Sequence, residues 1–242
     1  MKTEIAKMID HSLLHPAMTD KELKEGCLLA VKYNVASVCI KPYAVKMAAG
    51  ILKGTGVKTG SVVGFPHGNS LIEVKVFESE KAISDGAEEI DLVINIGKVL
   101  SEDWEYIENE IRSVAAVTKK NNAILKVIFE NDFLPGEKYK IRLCQICSKC
   151  KVDFVKTSTG YGFVKGEDGK YSYKGATVED VKLMRRYSDP KVQVKAAGGV
   201  RTLRDVLRMK DLGVTRIGAS ATAAIMDELT GEDSGNEDAR GY

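Results

Sequence analysis

FVKTSTG, residues 154–160, sets a lysine inside an apolar run and follows it at once with small hydroxyl residues and a glycine. A β-strand alternates its faces, so Phe154, Lys156 and Ser158 share one side and Val155 and Thr157 the other. Burying an ammonium is costly, and a lysine rarely occupies a closed interior unless it is paired or has lost its proton. An ordinary lysine, with a pKa of ~10.4, is only ~0.04% neutral at pH 7. A lysine whose pKa is lowered by burial becomes a nucleophilic amine. The competing reading is an edge-strand lysine whose head reaches water. The same pattern recurs at Lys126 in ILKVIFE (124–130) and at Lys195 in VQVKAAGG (192–199), which favours a buried set over an edge strand.

Outward from this stretch, eight strand-like runs alternate with helical segments. They are MIDH (8–11), VASVCIK (35–41), KTGSVVGF (58–65), EEIDLVIN (88–95), AILKVIF (123–129), VDFVKTS (152–158), KVQVKAA (191–197) and TRIGAS (215–220). LIEVKVFESEKAISDGA and WEYIENEIRSVAAVTKK carry the 3.6-residue apolar period of amphipathic helices. Gly86 and Gly213 fall where such helices end. The alternation predicts an α/β fold, a single-domain (β/α)8 TIM barrel over residues 1–229, followed by a flexible, acidic tail at 230–242. An open doubly wound sheet is the alternative.

Composition narrows the function classes. The chain of 242 residues has a formal net charge of +2, which gives no electrostatic case for nucleic acid or a membrane surface. No apolar run has the length of a membrane span, and the acids early in MKTEIAKMIDHSLL do not suit a secretory signal, so a cytoplasmic enzyme is expected. Five cysteines, an odd number, fit a reducing compartment better than a disulfide framework. Cys144, Cys147 and Cys150 form C-x-x-C-x-x-C at a spacing that suits the packed face of a helix, with no histidine nearby to complete a metal site. His11 and His15 are four apart but are followed by Pro16 and lack the glutamate of a zinc helix. No metal and no cofactor is expected.

Barrel chemistry sits at the carboxyl ends of the strands, and parity sorts the candidates. Asp91, Val93 and Asn95 share a face, as do Lys126 and Glu130, and Gln193, Lys195 and Ala197. Asp91 and the three lysines therefore meet on the barrel axis, as a catalytic centre or as a structural ion-pair network. Gly198–Gly199 and Gly218–Ala219–Ser220 end the last two strands, each before a helix, where backbone N–H groups bind phosphate in such barrels. Residues 161–174, with Asp168–Gly169 at the centre, predict a β-hairpin at the barrel mouth. Its aromatics Tyr161, Phe163, Tyr171 and Tyr173 are expected over the site or at a subunit contact.

MIDHSLL, ASVCIKP, SVVGFPHG, LKVIFE, FVKTSTG, GATVEDVKLM, VKAAGGVRT and RIGAS together resemble the deoxyribose-phosphate aldolase family, over Ile9 to Ala221. The resemblance implies a class I aldolase that cleaves 2-deoxy-D-ribose 5-phosphate reversibly to acetaldehyde and D-glyceraldehyde 3-phosphate, with a role in nucleoside catabolism. It implies that Lys156 forms the Schiff base, that Lys195 is the second active-site lysine and that Asp91 assists proton transfer. It adds Asp10, Lys126, Thr159, Gly160, Gly198, Gly199, Gly218 and Ser220 as substrate-binding residues. Tyr242, the final residue, matches a tail tyrosine that reaches the site in some members. Lys41 stands where an asparagine is common, Ala221 where a second serine is frequent, and the 161–174 segment is longer than in many members. Partners are a small phosphorylated sugar and a second copy in a homodimer. An imine-forming aldolase for another phosphorylated aldehyde, or a non-catalytic barrel that binds a sugar phosphate, fits the same residues.

Overall fold

The computed structural model describes residues 1–231. Of the tail expected at 230–242, residue 230 still belongs to the last helix, and residues 232–242, with Tyr242, lie outside the described residues. Eight parallel strands form the barrel: β1 (Ile9–Leu13), β2 (Ser37–Ile40), β3 (Lys58–Val63), β4 (Glu89–Val93), β5 (Ile124–Ile128), β6 (Phe154–Lys156), β9 (Gln193–Ala197) and β10 (Arg216–Ala219). β1 pairs with both β2 and β10, so the sheet closes and the open-sheet alternative is excluded. Two further strands, β7 (Val164–Lys165) and β8 (Tyr171–Ser172), pair antiparallel as the expected hairpin.

The helices wrap the outside. α1 (Lys2–Ala6) precedes the barrel, and α2 (Asp20–Tyr33), α3 (Val45–Leu52) and α4 (Ile72–Ser84) follow the first three strands. α5 (Ile96–Leu100) and α6 (Trp104–Lys120) follow β4, and α7 (Glu137–Cys150), α8 (Val178–Tyr187), α9 (Leu203–Asp211) and α10 (Thr222–Thr230) complete the ring. Their starts are chemically marked. Thr19 and Glu22 form a reciprocal capping box on α2, Thr202 and Asp205 do the same on α9, and Thr177 caps α8.

The apolar core lies between the strands and the helix ring. Ile90, Leu92, Val127, Val155 and Val194 point outward into it, opposite in parity to Asp91, Lys126, Lys156 and Lys195. α6 supplies Ile107, Ile111 and Val114, spaced on one face. Leu143, Cys144, Cys147 and Cys150 line the buried face of α7, so the cysteine triplet packs in the core. Each such aliphatic side chain contributes roughly 1.5–3 kcal/mol on burial.

One buried ion pair lies in the helix layer. Lys75 Nζ of α4 bonds Glu110 Oε1 of α6 at 2.6 Å, the carbonyl of Gly68 at 2.6 Å and that of Val93 at 2.9 Å. Glu110 Oε2 in turn accepts the Asn95 amide at 3.0 Å. The pair therefore fastens the β3–α4 loop to the end of β4. Gly68 can be nothing larger there: its φ is +67°, and a Cβ would lie 1.9 Å from the Ile94 carbonyl oxygen. An exposed ion pair is worth at most about 1 kcal/mol, but removing one partner of a fully buried pair strands a charge. Glu110→Ala is therefore expected to lower unfolding free energy by about 3–5 kcal/mol in urea titrations. A loss below about 1 kcal/mol would show that the pair does not hold the loop.

Candidate active site

The strand register assembles the interior. Lys156 lies beside Lys195 across β6 and β9, and Asp91 beside Lys126 across β4 and β5. Inside the barrel, Lys126 Nζ contacts Asp10 at 2.9 Å, Glu89 at 2.5 Å and Asp91 at 3.1 Å. Lys195 Nζ contacts Asp10 at 2.6 Å and Asp91 at 2.7 Å. Arg216 pairs with Asp10 and Glu89, and the Ser37 hydroxyl donates to Asp10 at 2.7 Å. Lys156 Nζ bonds a single carboxylate oxygen, Asp91 Oδ2, at 2.8 Å. The same oxygen accepts from Lys195. Phe154 lies beneath, its ring 5.7 Å from the Arg216 guanidinium carbon.

The charge count separates the lysines. Asp10, Glu89 and Asp91 are matched by Lys126, Lys195 and Arg216, and Lys156 is surplus. An unmatched ion in a closed interior is strongly disfavoured, so the proton most readily lost is that of Lys156. Burial lowers the Lys156 pKa below the ordinary lysine value; Asp91 opposes this and the Lys195 charge adds to it. For Lys195 burial acts in the same sense, but Asp10 and Asp91 outweigh it and the pKa rises. Lys126 is likewise held well above its ordinary value by Asp10, Asp91 and Glu89 against burial. Burial works against the Asp91 carboxylate, yet Lys126, Lys156 and Lys195 keep its pKa well below the usual range.

A cavity of about 270 Å³ opens above this cluster at the carboxyl ends of the strands. Of the three buried barrel lysines, Lys156 lines it, and Thr159, Gly160, Gly198, Gly199, Gly218 and Ser220 line it too. Gly198 and Gly199 have φ of +86° and +80°, in the left-handed region that glycine enters without strain. The Thr157 hydroxyl donates to the Ala197 carbonyl and accepts from the Ala197 amide, both at 3.0 Å, which locks the lysine strand to the strand ending in this turn.

Several expected residues sit differently. Asp10 and Lys126 lie below the cavity in the ion-pair cluster, fully buried, not in its wall. Thr159 lines the cavity, but its hydroxyl is bonded to Glu130 and accepts the Tyr161 amide at 2.9 Å. Glu130 does not continue the Lys126 face: its φ of +55° turns it out of the strand and toward Thr159, whose amide it accepts at 3.2 Å. Burial pushes the Glu130 carboxyl up to about 6. Lys41 reaches the carbonyls of His15 at 3.0 Å and Met18 at 3.1 Å, tying down the β1–α2 loop.

Sequence reasoning missed Glu89 and Arg216. Their signal was available in the alternation, because Glu89 has the parity of Asp91 and Arg216 that of Gly218 and Ser220. It also missed His11 as a cavity residue. Its Nδ1 lies 2.8 Å from the Thr222 hydroxyl at the start of α10, and burial pushes its pKa down to about 4, so it is neutral.

Residues 4–235 match the family described as DeoC/LacD family aldolase. The chain is 51% identical over 225 residues to the deoxyribose-phosphate aldolase of Rhodopirellula baltica, covering 93% of this chain and 89% of that one. It is 45% identical over 226 residues to the deoxyribose-phosphate aldolase of Clostridium perfringens, covering 93% and 96%. Among solved structures, the tetrameric deoxyribose phosphate aldolase from Aeropyrum pernix superposes with a TM-score of 0.84 at 27% identity, over 95% of this chain and 92% of that one. A buried lysine at the floor of a glycine-rimmed barrel cavity and likeness along nearly the whole chain agree: this protein belongs to the DeoC/LacD aldolase family.

Proposed function

We propose that this barrel cleaves 2-deoxy-D-ribose 5-phosphate reversibly into acetaldehyde and D-glyceraldehyde 3-phosphate, as a class I aldolase acting through a Schiff base on Lys156. The observation that carries the assignment of Lys156 is its position as the surplus amine of the charge cluster, facing the cavity. The neutral amine adds to the C1 carbonyl, and loss of water from the adduct gives a protonated imine. That imine draws electrons from the C2–C3 bond as the C3 hydroxyl loses its proton. The bond breaks, D-glyceraldehyde 3-phosphate leaves, and an enamine of acetaldehyde remains. Protonation of the enamine carbon and hydrolysis return the free lysine. The protonated imine is the electron sink, so the reaction calls for no metal or cofactor.

Asp91 Oδ2, shared by Lys156 and Lys195, is the relay through which protons reach and leave the adduct. Lys195 stays charged and keeps Lys156 from being the counter-ion. Asp10 and Lys126 hold that arrangement from below. Thr159 and Gly160 line the sugar end of the cavity, and the Gly198–Gly199 turn and the Gly218–Ser220 segment, at the start of α10, take the phosphate. We place the enzyme in the cytoplasm, in nucleoside breakdown. Among the described residues no helix is long and apolar enough to cross a membrane. A homodimer is the assembly we propose, supported by the exposed Leu71, just before α4, with Val74 and Phe77 on it.

Incubation with acetaldehyde and borohydride is expected to add a two-carbon fragment to Lys156, read by peptide mass mapping. Cleavage of deoxyribose 5-phosphate is expected to persist in chelator. A fragment on Lys126 or Lys195, with Lys156 clean, contradicts the assignment.

The charge count makes a second prediction. Because the Lys156 pKa is lowered, imine formation rises with pH at a lower pH than for a free lysine. In Lys195→Leu the three carboxylates are left with two matched cations, and Lys156 becomes the third. The rise then moves to higher pH, and imine formation at pH 7 falls roughly 10- to 1,000-fold. An unchanged pH profile in a folded variant would remove Lys195 from this role.

A further inference from the structure

Residues 157–177 connect β6 to α8, where such a connection usually takes about 2–6 residues. The extra length is built structure. β7 and β8 pair through Val164–Ser172 and Lys165–Tyr171, and both roots of the hairpin are clamped by carboxylates at the end of β5. Glu130 holds the first root through Thr159 and leaves no room for a side chain at position 162, where a Cβ would lie 2.6 Å from its carboxyl carbon. Asp132 holds the second root, accepting the amides of Lys174 and of Gly175, the latter at 3.0 Å.

That second root is fused to the glycine turn. The Ala176 amide donates to the Gly198 carbonyl at 3.0 Å, and the Gly175 Cα lies 3.0 Å from where a Gly198 Cβ would stand. The Tyr173 ring sits 3.5 Å from that same position. Phe163 meets the ring edge-on, centroids 5.2 Å apart. Tyr161 lines the cavity as well and packs edge-on against Phe65, centroids 5.5 Å apart. The ring of Tyr173 thus stands against the turn assigned to the phosphate, with the Phe163 ring edge-on against it.

We propose that Tyr173 is a specificity-determining residue: its ring, fixed by Asp132 at the hairpin root, limits the length of the aldehyde phosphate that fits between Lys156 and the Gly198–Gly199 turn. Asp132 is a positioning residue, acting through Lys174 and Gly175. This rests on the aldolase reading above. With the imine on Lys156 and the phosphate on the glycine turn, both ends of the acceptor are fixed, and one extra carbon must displace the wall. A misfit of that size discriminates about 10- to 200-fold.

The test runs the reaction in the synthetic direction with acetaldehyde. It compares kcat/KM for a three-carbon acceptor, D-glyceraldehyde 3-phosphate, with a four-carbon one, D-erythrose 4-phosphate. The wild-type protein is expected to prefer the shorter acceptor at least tenfold. Tyr173→Ala and Asp132→Ala are each expected to reduce that preference about tenfold, and Tyr173→Phe to keep it, since the ring and not the hydroxyl forms the wall. Thermal melting checks that each variant is folded. A preference unchanged within twofold in both alanine variants, or absent in the wild type, overturns the proposal. Wild-type protein that fails to trap acetaldehyde on Lys156 overturns the aldolase reading itself, a result separable from a change in acceptor preference.

Discussion

Asp91 Oδ2 accepts from two lysines at once, and the interior of the barrel is arranged around that shared oxygen. Buried charges are tolerated when they are paired and hydrogen-bonded, and a cluster of equal positive and negative charge meets that condition. Here three carboxylates meet four cations. The imbalance is relieved by one proton, and geometry decides which. Lys126 and Lys195 each touch more than one carboxylate, whereas Lys156 touches Asp91 alone and borders the cavity. A structural network and a catalytic centre are therefore not competing descriptions of these residues. In the proposed mechanism the network is what makes one member nucleophilic.

The surrounding structure keeps that geometry from relaxing. The Thr157 hydroxyl bridges to Ala197, Glu130 grips the loop that follows Lys156, and Lys75 with Glu110 fixes the loop bearing Phe65. Glu130 adopts a left-handed backbone conformation that a non-glycine residue enters at some cost. Its hydrogen bonds to Thr159 offset that strain. Each of these devices ties together the carboxyl ends, or the loops that leave them, of two neighbouring barrel strands. Preorganisation of this kind places reacting groups before substrate arrives.

Much of this was legible in the residues. The period-two alternation of FVKTS, ILKVI and VQVKA fixed which side of each strand faces inward, and the positions of Gly86 and Gly213 marked where helices stop. Parity alone brings Lys156, Lys195, Lys126 and Asp91 together. It failed at Glu130, because alternation holds only while the backbone stays extended and that residue has left the strand. It could not rank the lysines, because the ranking depends on how many carboxylates each one touches. Nor could it find the Lys75–Glu110 pair, whose members lie on different helices and look, in sequence, like ordinary surface charges. The hairpin was visible from Asp168–Gly169, but its fusion to the Gly198 turn rests on contacts between segments distant in the chain.

Of the three lysines inside the barrel, Lys156 gives up its proton most readily, because burial and the Lys195 charge lower its pKa and Asp91 alone opposes them. Lysine side-chain NMR with ¹³C at the ε carbon reads each protonation state directly, with assignments from Lys126→Met, Lys156→Met and Lys195→Met proteins. Titration is expected to show Lys156 losing its proton below the range of the exposed lysines, with Lys126 and Lys195 still charged at the highest pH at which the protein is folded. A Lys156 that titrates with or above the exposed lysines, or a Lys195 that deprotonates first, would contradict this ranking of the lysines.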